Sequence, residues 1–357
     1  MDYPFDSKLS LAEASALPSE VYFCPEFYAR EMKNVFGKEW HWVCRADEVK
    51  EPGQWITSQI GYEPVIVSRE VEGSLRAFSN VCRHRAAKVC RQPFGKSTRL
   101  RCQYHGWSYD LNGKLKTAPE FEGVEHFDKE KVQLPAFSVR ELGPWVFVSL
   151  SAQPTDLLDQ WSPFCEESKD FEIEKMRFVK RVEYSVQCNW KVFVDNYLDG
   201  GYHINTLHPD LAGVIPYSEY RSFTFPKSSL QTSPLRQGHK TEINSVRKGV
   251  AQYWWMYPNL MINLYEGVMD LNLVLPEGPE KCRVIFDFYF KETGQEQQSL
   301  IEKSLAVAHQ VQLEDQEICE EVQRGLHSQF YSSGRFSVTR EKTAYHFHQL
   351  IHQEVSS

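Results

Sequence analysis

The chain has 357 residues, 41% of them hydrophobic and 13% aromatic, with a formal charge of −8. That length exceeds one ordinary core and calls for two domains, and an acidic balance without a basic stripe excludes nucleic acid as a partner. No run suits a membrane span, and the first thirty residues, with Asp2, Asp6 and Glu13, show no signal or transit peptide, so the expectation is a cytoplasmic protein.

Residues 25–38 place Tyr28, Met32, Val35 and Phe36 on one helical stripe that ends near Gly37. Residues 40–44 then read as a strand. To about residue 150 short strands alternate with turns: 64–68, the Asn112-Gly113 hairpin signal, and 145–149. This predicts an all-β module. Residues 151–175 hold prolines and acids without periodicity and read as a connector with one short helix. A strand begins a second unit at 182–186. Trp190, Phe193, Val194 and Tyr197 have helical spacing over 189–203, and Pro209 ends that helix. Residues 210–250, rich in Ser, Lys and Pro, read as a loop over a pocket. Strands follow at 252–257, 260–264, 271–275 and 283–290. A long helix from about 296 to 326 turns Ile301, Leu305, Ala308 and Val311 toward a core.

Inside the β module, Cys82-Arg-His84 is followed, after seventeen intervening residues, by Cys102-Gln-Tyr-His105-Gly-Trp. Each loop offers one thiolate and one imidazole. A Rieske [2Fe-2S] cluster needs this mixture, with two cysteines on one iron and two histidines on the other. Neutral imidazoles in place of two thiolates make the cluster less negative and raise its potential. Two Cys and two His also satisfy tetrahedral zinc, but zinc knuckles usually pair like with like. The other cysteines, Cys24, Cys44, Cys90, Cys165, Cys188, Cys282 and Cys319, are scattered singly and read as reduced thiols.

His203 and His208 lie five apart, and Asp315 falls on the predicted long helix. Two imidazoles and one carboxylate form the facial triad of mononuclear non-haem Fe(II), with three positions left for O2 and substrate. A spacing of five turns two side chains about 140° apart on an ideal helix, so the helix must loosen for them to share a metal. Gly200, Gly201 and Pro209 supply that loosening. Taken alone, the histidine pair also fits a surface or core role. Asp315 is preferred to Glu314 for its shorter side chain and for sharing a helix face with Ala308, Val311 and Val322. A solvated acidic run at 314–317 is the alternative.

With both constellations in one chain, the sequence resembles the Rieske non-haem iron oxygenases, terminal oxygenase component, along nearly all its length. The matching residues are the two Cys/His loops, Asn189-Trp-Lys, Asp195-Asn196-Tyr, Tyr202-His203, His208 and Glu314-Asp315. More narrowly, Asp195-Asn-Tyr-Leu-Asp-Gly-Gly-Tyr-His203 and Cys319-Glu-Glu-Val-Gln-Arg-Gly-Leu326 are similar to choline monooxygenases and bacterial quaternary-ammonium oxygenases. The resemblance implies an α+β fold. An all-β Rieske domain would span 40–160. A helix-grip catalytic domain, an antiparallel sheet around a long C-terminal helix, would span 161–357, with the helical segment 1–39 packed on it. It further implies a homotrimer fed with electrons from NAD(P)H by a separate reductase or ferredoxin. Electrons would cross from the cluster of one subunit, by way of His105, to the iron of its neighbour. Relatives usually bridge that step with a carboxylate three residues before the first iron histidine. Gly200 stands there, and Asp199, about 40° from His203 on an ideal helix, is the nearest substitute, with Asp195 further back. Asn196 matches an asparagine kept near the iron. Some members carry an extra disulfide near the first ligand loop, whereas Cys90 is expected to be a free, partly buried thiol.

The implied reaction is hydroxylation of a C–H bond next to nitrogen or a hydroxyl, with O2 as co-substrate and choline or a related quaternary ammonium compound as substrate. Oxygenases for carnitine, betaine or an aromatic acid, and a non-catalytic electron carrier, are the alternatives. A trimethylammonium group has no N–H to donate, so aromatic faces must hold it. Tyr202, Trp254, Trp255, Tyr257 and Tyr265 are the candidates, although aromatic residues alternating on a strand are usually core.

Overall fold

A computed structural model describes residues 5–236 and 246–356. The chain divides into two units, Phe36–Leu157 and the pair of segments Met1–Val35 with Leu158–Ser357.

The first unit carries strands β1 (Trp40–Arg45), β2 (Gln54–Ile60), β3 (Glu63–Arg69), β4 (Leu75–Ser79), β5 (Phe94–Lys96), β6 (Leu100–Arg101), β7 (Ser108–Tyr109), β8 (Leu115–Thr117), β9 (Ala136–Leu142) and β10 (Trp145–Ser149). Seven make one antiparallel sheet in the order β1-β10-β9-β4-β3-β2-β5, and β6-β7-β8 make a smaller one. Val65, Ile66 and Val67 are all fully buried, so β3 has core on both faces, which a continuous apolar run provides. The Asn112-Gly113 signal forms the turn between β7 and β8, with Gly113 at φ +78°, a left-handed conformation that glycine adopts without a Cβ penalty.

In the second unit β11 (Arg177–Val186), β12 (Arg221–Phe225), β13 (Ser228–Pro234), β14 (Val250–Met256), β15 (Leu260–Tyr265), β16 (Val268–Gly278) and β17 (Lys281–Phe290) form one antiparallel sheet, in the order β11-β17-β16-β15-β14-β13-β12. Its helices are α1 (Pro25–Glu31), α2 (Leu157–Glu167, its first residue in the other unit), α3 (Trp190–Tyr197), α4 (Ile204–Leu207), α5 (Pro209–Val214), α6 (Gln298–Leu326) and α7 (Lys342–Ser356). Ile301, Val307, Ala308, Gln312 and Cys319 make the buried stripe of α6. No helix among the described residues is long and apolar enough to cross a membrane.

Several elements depart from the periodicity. Residues 210–250 are not one loop: α5, β12 and β13 occupy much of the stretch, while 237–245 lie outside the described residues. Ser228, Ser229 and Gln231 are buried in β13, so polar side chains hid a strand whose backbone is paired on both sides. Pro209 opens α5 rather than ending a helix, because a missing N–H costs nothing in a first turn. The helix expected over 189–203 stops at Tyr197, and Gly200 and Gly201 follow at φ +70° and +72°. Val322 is 44% exposed and shares no buried face with Ala308. Helix α7, which buries Phe347, Leu350, Ile351 and Val355, had no counterpart in the sequence reading.

Helix α3 is held from several sides. Lys191 and Glu31 form a fully buried ion pair at 2.7 Å, and Trp190 Nε1 donates to the other oxygen of Glu31 at 2.9 Å. One turn on, Asp195 accepts from Tyr22 Oη at 2.7 Å and pairs with His348 Nε2 at 2.8 Å. The N-terminal segment and the C-terminal helix thereby clamp the helix that leads to His203.

Candidate active site

The two Cys/His loops of the first unit share one backbone design. Cys82 N donates to Ala87 O (2.8 Å) and Cys102 N to Trp107 O (2.9 Å). Ala86 N returns to Cys82 O (3.0 Å) and Gly106 N to Cys102 O (3.1 Å). Both returning residues are left-handed, at φ +56° and +76°. Each turn buries its cysteine and lifts its histidine outward, His84 half-buried and His105 exposed. The two Nδ1 atoms face each other at 3.0 Å, and Trp107 stacks on the His84 ring at 5.0 Å. Tyr109 Oη lies 3.3 Å from Cys82 Sγ and accepts from Arg83 N at 3.0 Å. Burial pushes the Cys82 thiol up, and the neighbouring Cys102 adds to the rise. Two buried sulfurs and two converging imidazole nitrogens fit a cluster with a sulfur end and a nitrogen end. Cys90 is a free thiol, buried and pushed up to about 12.

In the second unit His203, His208 and Asp315 bring one ligand atom each within 4.8 Å of one another. Asp315 Oδ1 lies 3.2 Å from His208 Nε2 and 4.0 Å from His203 Nε2. The other ring nitrogens are both taken by carboxylates. His203 Nδ1 donates to Asp199, and His208 Nδ1 to Glu314 Oε2 at 2.6 Å. A carboxylate behind each imidazole sets the tautomer, so both Nε2 lone pairs point inward, as a metal requires. Burial works against charging His208, but Asp315 and Glu314 outweigh it and raise its pKa. Asn196 Nδ2 donates to Asp315 Oδ1 at 2.7 Å. Glu314, weighed in the sequence as the lesser candidate ligand, is the outer partner of His208.

The gap between the histidines is closed by chain geometry rather than by a bent helix. The glycine pair breaks the chain after α3, and the single turn of α4 then brings the two rings to 4.9 Å. Gly200 N donates to Gln231 Oε1 (2.9 Å), and Gln231 Nε2 donates to Tyr197 O (2.7 Å), so one side chain of β13 ties this loop to the sheet. A Cβ on Gly200 would stand 2.0 Å from Arg340 O. A carboxylate at that position would have to displace the Arg340 backbone. Asp199 also accepts from the backbone of Tyr202 (3.1 Å) and His203 (3.0 Å), which leaves it as the acid in contact with the outward nitrogen of His203.

A cavity of about 120 Å³ opens onto these residues between the sheet and α6. Its floor is one cross-strand row, Gln231–Tyr253–Asn263–Asp270, in register across β13 to β16. Tyr197, Tyr220, Tyr265, Phe193 and Phe286 complete an aromatic wall, and Arg247 closes one side. Tyr220 and Tyr253 stack at 6.2 Å, and Tyr253 meets Tyr265 edge-on at 5.9 Å. Tyr197 Oη lies 2.8 Å from Asn263 Oδ1, and Asn263 Nδ2 donates to Asp270 Oδ2 at 2.7 Å. Burial raises the Tyr197, Tyr220 and Tyr265 phenols well above their usual range, so they stay neutral.

Of the aromatic candidates named from the sequence, only Tyr265 lines this cavity. Trp254 lies in core between Phe225 and Phe164, its Nε1 on Gln252. Trp255 packs on Tyr257 and Phe347, and Tyr257 sits beneath Lys227. Tyr202 is 55% exposed and outside the cavity wall. Successive strand residues point to opposite faces, so placing Tyr253 toward the cavity turns Trp254 away. Tyr197, Tyr220, Tyr253 and Arg247 were missed. Asn263, Asp270 and Asn272 carried the available signal, as polar residues inside otherwise apolar strands.

A family model described as Rieske [2Fe-2S] domain matches residues 39–128, and one described as ring hydroxylating alpha subunit (catalytic domain) matches 173–357. The chloroplastic choline monooxygenase of Arabidopsis thaliana is 37% identical, over 98% of this chain and 85% of its own. The carnitine monooxygenase oxygenase subunit of Escherichia coli (strain K12) is 29% identical, over 96% and 94%. A crystal structure of the quaternary ammonium Rieske monooxygenase CntA with gamma-butyrobetaine aligns at a TM-score of 0.81 and 28% identity, over 97% of each chain. On these likenesses, which run from the cluster loops to the C-terminal helix, the chain belongs to the Rieske non-haem iron oxygenases, the family whose oxygenase component combines a [2Fe-2S] cluster with a mononuclear iron.

Proposed function

We propose that this chain is the oxygenase component of a monooxygenase that hydroxylates choline or a related small quaternary ammonium compound. Cys82, Cys102, His84 and His105 would hold the cluster, and His203, His208 and Asp315 the mononuclear iron. The carrying observation is that this second ligand set opens into a small cavity walled by tyrosine faces. At roughly 10–15 Å³ per water-sized group, a cavity of about 120 Å³ takes some ten heavy atoms, enough for a choline or a betaine.

When bound, the cluster passes single electrons and the mononuclear iron supplies the O2 chemistry that hydroxylates a C–H bond. Asp199 and Glu314 hold the Nδ1 protons of His203 and His208, keeping each ring in one tautomer and orientation. Asn196 fixes Asp315 through Oδ1. The neutral tyrosines offer electron-rich faces to a cation that has no proton to share. Electrons would come from a separate reductase or ferredoxin drawing on NAD(P)H and would cross between subunits of a homotrimer, with Asp199 at the receiving end. The structure of a quaternary ammonium Rieske monooxygenase 28% identical to this chain concerns carnitine oxidation and inter-subunit electron transfer in that enzyme, which supports this reading. The seven cysteines outside the cluster loops form no disulfide among the described residues, which favours a reducing, cytoplasm-like compartment.

Metal analysis should find about three irons per chain, two with the spectrum of a Rieske cluster. Turnover with a surrogate reductase, O2 and a panel of choline, carnitine, glycine betaine and an aromatic acid should give product from a quaternary amine. Hydroxylating the alcohol carbon of choline yields the hydrate of betaine aldehyde, whereas hydroxylating an N-methyl group releases formaldehyde. Product from the aromatic acid alone would overturn the proposal. His203→Ala should keep the red cluster and abolish turnover.

A further inference from the structure

Arg247 lines the cavity and is 7% exposed. Among the described residues its guanidinium makes one side-chain hydrogen bond, Nη1 to Tyr265 Oη at 3.1 Å, and it lies 4.5 Å over the same ring. Nε has no partner among the described residues. No ion pair within 4.0 Å joins Arg247 to a carboxylate among them. A guanidinium is a rigid fork of donors that cannot lose its charge in a protein. Buried with most donors idle, it is a costly feature unless something in the cavity uses them.

The cavity's carboxylates do not fill that role. Asp315 is directed at the histidines, and Asp199 is taken by His203. Asp270 is fully buried and held by Asn263, near enough to feel the guanidinium but not in contact with it. Arg247 therefore borders the space a ligand would fill with donors that no described residue takes.

We propose that Arg247 is the carboxylate-binding residue of the substrate site and that the substrate is a zwitterion, a quaternary ammonium group joined to a carboxylate. The anion docks on the Arg247 fork while the ammonium group rests against the tyrosine faces. A ligand with only a cation, such as choline, would share a low-dielectric cavity with a like charge that no described carboxylate contacts. A betaine brings its own counter-charge and satisfies the idle donors. This assignment rests on the quaternary-ammonium reading above and narrows it from simple cations to betaines.

The test is equilibrium binding to the iron-loaded enzyme without reductant, followed by isothermal titration calorimetry. The ligands are choline as cation, glycine betaine and γ-butyrobetaine as zwitterions, and benzoate as anion. At least one zwitterion should bind wild type about tenfold or more tighter than choline, since a hydrogen-bonded charge contributes on that scale. Arg247→Met should weaken that zwitterion by about 10- to 100-fold and leave choline unchanged or tighter. Arg247→Lys, which keeps the charge but loses the fork, should fall between. Choline binding as tightly as both zwitterions, or a zwitterion indifferent to Arg247→Met, would overturn the assignment and leave the quaternary-ammonium reading intact. Benzoate binding with no quaternary amine bound would overturn both. If Arg247→Met does not fold, the wild-type ranking and Arg247→Lys decide, and the lysine variant must lower the zwitterion-to-choline ratio.

Discussion

Gly200→Ala is a one-methyl test of how the iron-site loop is built. Gly200 sits at φ +70°, which costs a non-glycine residue about 1–2 kcal/mol. The new Cβ would stand 2.0 Å from Arg340 O and must retreat by about 1.4 Å to reach ordinary contact at 3.4 Å. Its obstacle is backbone just ahead of α7, so no side-chain rotation relieves it. Overpacking of this kind adds about 1–3 kcal/mol, for a total of about 3 kcal/mol and a fall in Tm of about 6–12 °C in a unit of this size. The displaced segment lies between Asn196 and His203, so mononuclear iron should be lost while the cluster, in the other unit, stays. Thermal melts, iron quantitation and the visible spectrum of the cluster read the three effects separately. Gly200→Asp, which places a carboxylate where the family resemblance implies one, meets the same carbonyl and should do no better. A Gly200→Ala protein with wild-type Tm, iron content and turnover would show that Arg340 yields readily, and the packing account would be wrong.

Asp199→Asn should lower turnover or iron affinity by about 10- to 100-fold, as loss of an outer carboxylate on a metal-binding histidine does; unchanged iron content and rate would remove Asp199 from the site. Glu31→Gln strands a fully buried Lys191 charge and should destabilise the second unit by about 3–5 kcal/mol in chemical denaturation. Replacing both partners by Met should recover most of that loss, and failure to do so would show that shape rather than charge matters there. Burial raises the Cys90 thiol from 9.0 to about 12, so folding holds it protonated where the unfolded chain ionises. The stabilisation is complete below about pH 9 and is lost as the pH rises toward 12. Cys90→Ala should therefore flatten the alkaline limb of a Tm-against-pH curve, and an unchanged limb would assign that limb to other groups.

Local chemistry was legible because spacing alone expresses it. Cys82, His84, Cys102 and His105 need two short loops, and their shared turn places each cysteine inward by a handful of backbone bonds. The strand at 145–149 and the long helix were equally plain, each a continuous apolar or periodic run. Polar burial was not legible. The serines of β13 read as loop because pairing on both sides, not composition, makes that strand.

The ligand-bearing residues His203, His208 and Asp315 stand out in the amino-acid sequence by their type and by the motifs around them. Their partners belong to the fold. Glu314 and Asp199 take the outer nitrogens because of helix direction and a glycine break, and Gly200 must stay bare because a chain segment 140 residues away lies against it. The cavity wall was decided later still. Register aligns Gln231, Tyr253, Asn263 and Asp270 into one row, and a one-residue slip would present Trp254 instead. Periodicity says which residues share a face, but only the pairing of distant strands says which face meets the ligand.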